Sequence, residues 1–244
     1  ALEAEGIDFM REIVAAAHAY GLRIFPSLRL QGPKPVPVEI EPGSFHGRHP
    51  EFHCKGKDGL PVAQLSLAFP EVRAYWISLL CEALAYGFDG VHVIFCRSWP
   101  FVLYEDPVVE LFESEYGEDP REGDEGDPRL WRVFAHFVNA FARELKSAVV
   151  EMEQKLGKKL EIAYNINTTP ESNLRWGVDV ETLVAEGLVD YLMPHPTFAK
   201  NAAEWLAPLA ELVEDTPVKL YPDLYPRRQP PAAALYSAQT LYDL

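Results

Sequence analysis

The residues best suited to chemistry follow an apolar run in the first half of the chain. Residues 88–105 read FDGVHVIFCRSWPFVLYE, an apolar run behind an Asp-Gly turn, then an aromatic segment. Four side chains of that segment suit ligand binding or acid–base work: Arg97, Trp99, Tyr104 and Glu105. Short continuous apolar runs are typical of buried parallel strands, and chemistry collects beyond their carboxyl ends. We predict a functional site here; the alternative is an ordinary strand followed by a surface loop.

Glu105 is the first candidate for a catalytic carboxyl group. It follows Tyr104 and precedes Asp106, and apolar or acidic surroundings raise the pKa of a carboxyl group, which lets it donate a proton near neutral pH. We assign it as general acid or nucleophile without choosing between the two. The alternative is a carboxylate at the positive end of the following helix. Arg97 could bind substrate hydroxyl groups or pair with Glu105 and keep it ionised. The alternative is an ion pair with a purely structural role.

Further polar residues stand at the ends of later predicted strands. Asp223 is the leading second carboxyl group, although YPDLYP is also a turn sequence. Asn165, Asn167, His195 and Tyr221 are the other candidates for substrate contact at the same end of the sheet. Loop-entry hydrogen bonding and core packing are their alternatives, and we expect His92, inside its strand, to be a core residue.

The elements that position these residues alternate along the chain. Helices are predicted at 1–20, 70–86, 107–116, 128–156, 179–186, 202–213 and 232–244, and strands at 22–30, 91–96, 160–166, 189–194 and 218–224. Strands that alternate with helices indicate right-handed crossovers and a parallel sheet. No glycine-rich phosphate loop follows any strand, which disfavours a nucleotide-binding fold. We predict an α/β fold of the (β/α)8 barrel type with about five strands visible.

We treat residues 1–244 as one domain. The chain opens on a helix that should follow a strand and stops on one that should lead into a strand. The prediction is therefore an internal segment of a longer barrel.

Composition excludes some partners. A net charge of −15 argues against a nucleic-acid or anionic-membrane surface, and no apolar stretch has the length of a membrane span. Three scattered cysteines do not make a disulfide framework. We expect neither nucleic acid nor membrane insertion, and leave localisation and oligomeric state open.

Residues 31–63 form a long excursion rich in proline and glycine, without a regular period. Loops of this length are functional or disordered. His46, His49 and His53 precede Cys54 there, but no second ligand cluster is evident. We predict no metal and no cofactor; a substrate-lining loop, plain loop histidines and a metal-dependent hydrolase are the alternatives for this segment.

The central stretch resembles the family-10-like glycosyl hydrolases, glycoside hydrolase-like TIM-barrel proteins common in environmental bacteria. In them a DGV strand ending in Arg precedes YE-x-P and then F-x-x-x-YG-x-DP. The matching residues here are Asp89-Gly90-Val91, Arg97, Tyr104-Glu105, Pro107, Phe112, Tyr116-Gly117 and Asp119-Pro120. The segments HPEFHCKGKDGLPVAQLSLAFPEVR and GVDVETLVAEGLVDYLMP look like the flanking parts of that family.

The resemblance implies a barrel that acts on carbohydrate. Glycoside hydrolysis uses two carboxyl groups, about 5 Å apart for retention and further apart for inversion. Glu105 and Asp223 are our catalytic pair. The predicted substrate-binding residues are Arg97, Trp99, Tyr104, Asn165, Asn167, His195 and Tyr221. Trp99, Trp176 and Tyr221 are candidates for stacking against sugar rings, with core packing as their alternative.

One position departs from related glycosidase-like barrels. They often carry an aspartate on the central strand where this chain has Ile94. If that aspartate were the essential acid, this protein would use another residue or be inactive. The alternative function is therefore a carbohydrate-binding barrel without catalysis.

Overall fold

The structure is a computed structural model that describes residues 6, 8–30, 43–97, 99–195 and 202–223. Its centre is a five-stranded sheet of β1 (Ser27–Arg29), β4 (Gly90–Ile94), β5 (Glu161–Ile166), β6 (Tyr191–Pro194) and β7 (Lys219–Leu220). All neighbouring pairs are parallel, and their spatial order is their order along the chain. Two further strands, β2 (His53–Lys55) and β3 (Pro61–Leu65), form a separate antiparallel hairpin. The predicted α/β fold with a parallel sheet is confirmed.

Helices fill the connections between these strands. They are α1 (Phe9–Ala19), α2 (Phe45–Arg48), α3 (Pro70–Leu84), α4 (Asp106–Tyr116), α5 (Pro128–Leu156), α6 (Pro170–Leu174), α7 (Val180–Ala185) and α8 (Ala202–Val213). Proline opens α3 and α5, where its missing N–H group costs nothing, and left-handed glycines end α4 and α5 at positions 117 and 157. These end signals are why the predicted bounds of α3, α4 and α5 agree closely with the observed ones. The first helix was predicted at 1–20 and is observed at Phe9–Ala19, and α2 and α6 were not predicted.

The core lies between the helices and one face of the sheet. Successive side chains of a strand point to opposite faces of the sheet, so each face is formed by every second residue. Val91, Val93, Ile162 and Tyr164 are buried in the helix-side core. His92, Ala163, Tyr191 and Met193 line a cavity of about 350 Å³ on the other face. The sheet is therefore packed on one face and carries polar and aromatic side chains on the other.

No closed barrel is present in the residues that the structure describes. The sheet has β1 at one edge and β7 at the other. A doubly wound sheet would reverse its strand order at a switch point, whereas this sheet keeps one direction from edge to edge. The five strands match the number predicted, and the closed barrel stays a prediction.

The prediction of no regular structure at 31–63 is wrong for residues 43–63. Residues 43–63 contain α2, a 3₁₀ turn at Pro50–Phe52, all of β2 and the start of β3, where we predicted no regular structure. Strands of three and five residues are too short to show a period in the sequence. Residues 31–42 lie outside the described part.

Some other boundaries also differ. The strand predicted at 22–30 is only three residues long, and the last strand is observed only at Lys219–Leu220. Residues 1–5 of the first predicted helix, Leu224 and the helix at 232–244 lie outside the described residues. Within the described ranges, no helix combines the length and the apolar character needed to cross a membrane.

Candidate ligand-binding cleft

A cavity of about 470 Å³ opens at the carboxyl ends of β4, β5 and β6. Trp99, Trp131 and Trp176 form its aromatic wall. The rings of Trp99 and Trp176 stack with centroids 5.0 Å apart and planes 12° apart. Their mutual contact fixes both rings, so a ligand meets a preformed aromatic surface.

The polar wall comes from the loop after β5 and from the end of β6. Asn167, Thr168, Thr169, Glu171, Ser172, Arg175 and His195 line it. Amide and hydroxyl groups beside aromatic rings are typical of sites that bind small polar molecules.

A buried asparagine holds that loop in place. Asn173 is 0% exposed. Its side-chain amide donates to the carbonyl oxygens of Asn167 at 3.0 Å and Thr169 at 2.8 Å, and its oxygen accepts the N–H of Asn167 at 2.8 Å. Thr169 and Ser172 add a reciprocal capping box at the start of α6. These bonds fix the backbone that presents the polar wall.

Gly177 allows the segment after α6 to approach the backbone of α5 closely. Its φ is +77°, and a Cβ there would lie 2.9 Å from the carbonyl carbon of Phe134. Only glycine fits both the backbone conformation and the close approach. The position of Trp176, one residue earlier, depends on this contact. Trp131 is fixed separately, since its indole N–H donates to the carbonyl oxygen of Glu125 at 2.9 Å.

His195 connects the cavity to Asp223. The Nε2 atom of His195 lies 3.7 Å from Oδ2 of Asp223, whose side chain is 36% exposed. Burial lowers the pKa of His195 below its usual value; the Asp223 charge acts in the opposite direction, and the Arg97 charge lowers the pKa further. His195 is therefore held toward its neutral form between two opposite charges.

The titration of His195 tests this arrangement. We expect Asp223→Asn to lower the His195 pKa further and Arg97→Gln to raise it, because each substitution removes one charge. NMR titration of the imidazole signals measures both shifts. Arg48→Gln, an exposed arginine outside the cleft, is the control and should leave the titration unchanged. Shifts of the same sign in the two test variants would contradict the assignment.

Glu105 does not line the cavity. It is 0% exposed. Its carboxylate accepts the backbone N–H of Lys55 at 3.1 Å and that of Leu103 at 2.9 Å, and the Cys54 thiol is a further partner. Burial raises the pKa of Glu105 above its usual value, and these hydrogen bonds oppose the rise. The pairing with Arg97 considered for Glu105 is not among its contacts.

The contacts of Glu105 give it a structural role. Glu105 is also the residue before α4, yet it makes no side-chain cap bond to that helix. Instead it joins the hairpin strand β2 to the loop 99–105 that carries Trp99. The N–H of Tyr104 donates to the carbonyl oxygen of Lys55 at 3.0 Å in the same junction. Direct catalysis by Glu105 stays a prediction and would require this junction to open.

We expect Glu105→Gln to lower the free energy of unfolding by about 1–3 kcal/mol, since an amide N–H₂ group would face a backbone N–H donor. Folding raises the pKa of Glu105, so its contribution to stability is greatest below about pH 4.3 and is lost as pH rises through the raised pKa. Urea unfolding at several pH values measures both effects. The control is Glu110→Gln, because Glu110 is exposed on α4, the helix that follows Glu105. An unchanged stability would contradict the role.

The remaining predicted residues divide between two places. Trp99, Asn167 and His195 line the cleft. Asn165 is buried, donates to the carbonyl oxygen of Met193 at 3.0 Å and accepts from the Cys96 thiol. Burial raises the pKa of Cys96 to about 12, so the thiol stays protonated. Asn165 therefore acts as a link between strands.

Two predicted contact residues lie away from the cleft lining. Tyr104 is buried edge-on against Phe134. Tyr221 is 50% exposed and lines the second cavity with His92, whose Nδ1 shares a hydrogen bond with Ser27. Roles for Tyr104 and Tyr221 in substrate binding stay predictions.

The histidines of the excursion are occupied by local hydrogen bonds. His46 bonds to the carbonyl oxygen of Ala63 at 2.8 Å, His53 to that of His46 at 3.1 Å, and His49 to Glu51 at 2.9 Å. No group of three potential metal ligands occurs in the described part of the chain. These contacts fit the interpretation of His46, His49 and His53 as ordinary loop histidines.

The sequence identified Trp176 as a stacking residue, but it did not single out Trp131, Glu171 or Arg175 as site members. Trp131 lies in the long helix α5, and Glu171 and Arg175 belong to a short helix and its end. Tertiary packing, which the sequence does not display, brings these three residues to the cleft.

The comparisons with known proteins add little to this geometry. No protein-family profile matches the chain, and no curated protein does. Among solved structures, it is similar to an alpha-galactosidase from Thermus thermophilus in complex with stachyose, at 15% identity and a TM-score of 0.35. That similarity covers 94% of this chain and 52% of the galactosidase, so the chain spans about half of that protein. The resemblance to glycosyl hydrolase-like barrels therefore stays a prediction.

Proposed function

We propose that this chain is part of a (β/α)8 barrel whose cleft binds carbohydrate. Five parallel strands in chain order support the barrel. The observation that carries the binding function is the stacked pair Trp99–Trp176 beside a wall of amide and hydroxyl groups. Sugars present apolar ring faces and a rim of hydroxyl groups, which match these two walls.

Calorimetric titration with neutral oligosaccharides tests the binding function. The panel should include xylo-, cello-, manno- and galacto-oligosaccharides of equal length. Tryptophan fluorescence provides a second signal, because three tryptophans line the cavity. Binding of at least one oligosaccharide with a change in emission is expected. No binding by any member of the panel or by acidic oligosaccharides would contradict the proposal.

Hydrolysis is the second candidate, favoured by the two carboxylates that border the cleft. Glu171 lines the cavity, and Asp223 lies beside His195. In this form of the proposal the acids are Asp223 with either Glu105 or Glu171. Product analysis after incubation of the same oligosaccharides separates hydrolysis from binding. Activity lost in Asp223→Asn and Glu171→Gln, with sugar binding retained, would support those two acids.

Glu105 calls for a different experiment, because Glu105→Gln is expected to affect stability as well. Activity must therefore be compared at a temperature where the variant is folded, as circular dichroism shows. Full activity of folded Glu105→Gln would remove Glu105 from the mechanism. Activity abolished in a folded variant that still binds sugar would support a direct role.

A further inference from the structure

Arginines from three separate segments lie at or near the cleft. Arg29 ends β1, Arg97 follows β4 and Arg175 follows α6. Arg175 lines the cavity. Arg29 donates to the carbonyl oxygen of Arg97 at 2.7 Å, and the charge of Arg97 acts on His195, which also lines the cavity. The fold thus concentrates arginines that are far apart in sequence.

This local charge opposes the charge of the whole protein. The chain carries 37 acidic and 22 basic residues, a net charge of −15. At the cleft, Arg175 and Glu171 line the cavity, and the charges of Asp223 and Arg97 both act on His195. Arg29 and Arg175 are exposed, and within the described residues neither forms an ion pair with an acid. Their charges are therefore available to a negatively charged ligand.

We propose that the cleft binds an acidic oligosaccharide, with a sugar carboxylate group on Arg175 and a sugar ring on Trp99–Trp176. This inference rests on the proposed carbohydrate function and names the class of sugar. A guanidinium group matches a planar carboxylate through two parallel hydrogen bonds, which a neutral sugar cannot supply. A sulfate ester carries the same charge and is the other source of such an anion.

The acidic segment at 118–127 adds an orientation. It reaches the cleft on the side of Trp131, because the backbone carbonyl oxygen of Glu125 accepts the hydrogen bond of that indole. Its charges repel a carboxylate there. The acidic groups of the ligand are thus directed away from Trp131 and toward the arginines.

Titrations with paired ligands test the inference. Oligogalacturonate, oligomannuronate, oligoguluronate and cello-oligouronate are compared with their methyl esters, which keep the ring skeleton and remove the charge. A sulfated oligosaccharide and its desulfated form give the second arm. We expect at least one acid to bind tenfold or more tighter than its ester at low salt, with the preference falling as salt rises.

Substitutions at Arg175 test whether this residue causes the preference for the acid over its ester. Arg175→Gln should reduce it at least fivefold, Arg175→Lys less, and the exposed control Arg48→Gln not at all. Equal binding of every acid and its ester would overturn the inference and leave carbohydrate binding intact. A preference for the sulfated ligand alone would overturn the carboxylate assignment. No binding of any sugar would overturn both proposals.

Discussion

Replacing Trp99 by alanine is expected to weaken oligosaccharide binding about thirtyfold, which corresponds to roughly 2 kcal/mol. Trp99 stacks on Trp176 at 5.0 Å, so its removal deletes one of the three tryptophans of the aromatic wall and frees the ring of Trp176. Trp99 is half-buried, and tryptophans that line binding sites are among the residues on which affinity depends most. Titration calorimetry at equal protein concentration measures the change.

The control separates lost surface from a general effect of aromatic truncation. Tyr20→Ala removes an aromatic ring that is 85% exposed at the end of α1. Its affinity should equal that of the unsubstituted protein. Trp99→Phe should lie between, since it keeps a smaller ring. An alanine variant that is folded and binds as tightly as the parent would contradict the aromatic wall.

Gly90→Ala is expected to lower the free energy of unfolding by about 3 kcal/mol or more. Gly90 opens β4 and pairs with Glu161 of the neighbouring strand. A Cβ atom at Gly90 would overlap the carbonyl oxygen of Glu161 and the ring of Phe25. The φ of Gly90 lies outside the left-handed region, so the cost comes from crowding by its neighbours. Relief requires β4 and β5 to separate, because the carbonyl group is part of the sheet.

The matched substitution for Gly90 is Gly43→Ala. A Cβ at Gly43 meets no atom within 4 Å, and its φ is also outside the left-handed region. Urea unfolding of both variants should show a large loss at position 90 and a change within about 0.5 kcal/mol at position 43. Equal stability of the two variants would mean that β4 and β5 do not approach as described.

The parallel sheet was predictable because each strand is bounded by strong local signals. The pair Asp89-Gly90 marks the start of β4, and Gly157 ends the helix before β5. Such signals act through the backbone of a few neighbouring residues. The hairpin of β2 and β3 carries the turn signal Asp58-Gly59, but its strands are too short to show a period in the sequence. The hairpin also depends on distant partners. One such partner is Glu105, which accepts the N–H of Lys55.

The cleft was predictable only in part for a related reason. Trp99, Asn167 and His195 each follow a strand, and the rule that sites collect at carboxyl ends located them. The same rule placed Glu105 in the site, although the side chain turns into the hairpin. Side-chain direction in an irregular loop depends on its tertiary contacts. The partner amides of Lys55 and Leu103 were not identifiable from sequence.

A crystal structure with a bound oligosaccharide would show whether the tryptophan cleft holds the sugar. The ligand should be one that calorimetry shows to bind. We expect a sugar ring in van der Waals contact with Trp99 or Trp176, with hydroxyl groups hydrogen-bonded to the loop after β5. A sugar bound instead in the cavity lined by His92 and Tyr221, with the tryptophan cleft empty, would contradict this expectation.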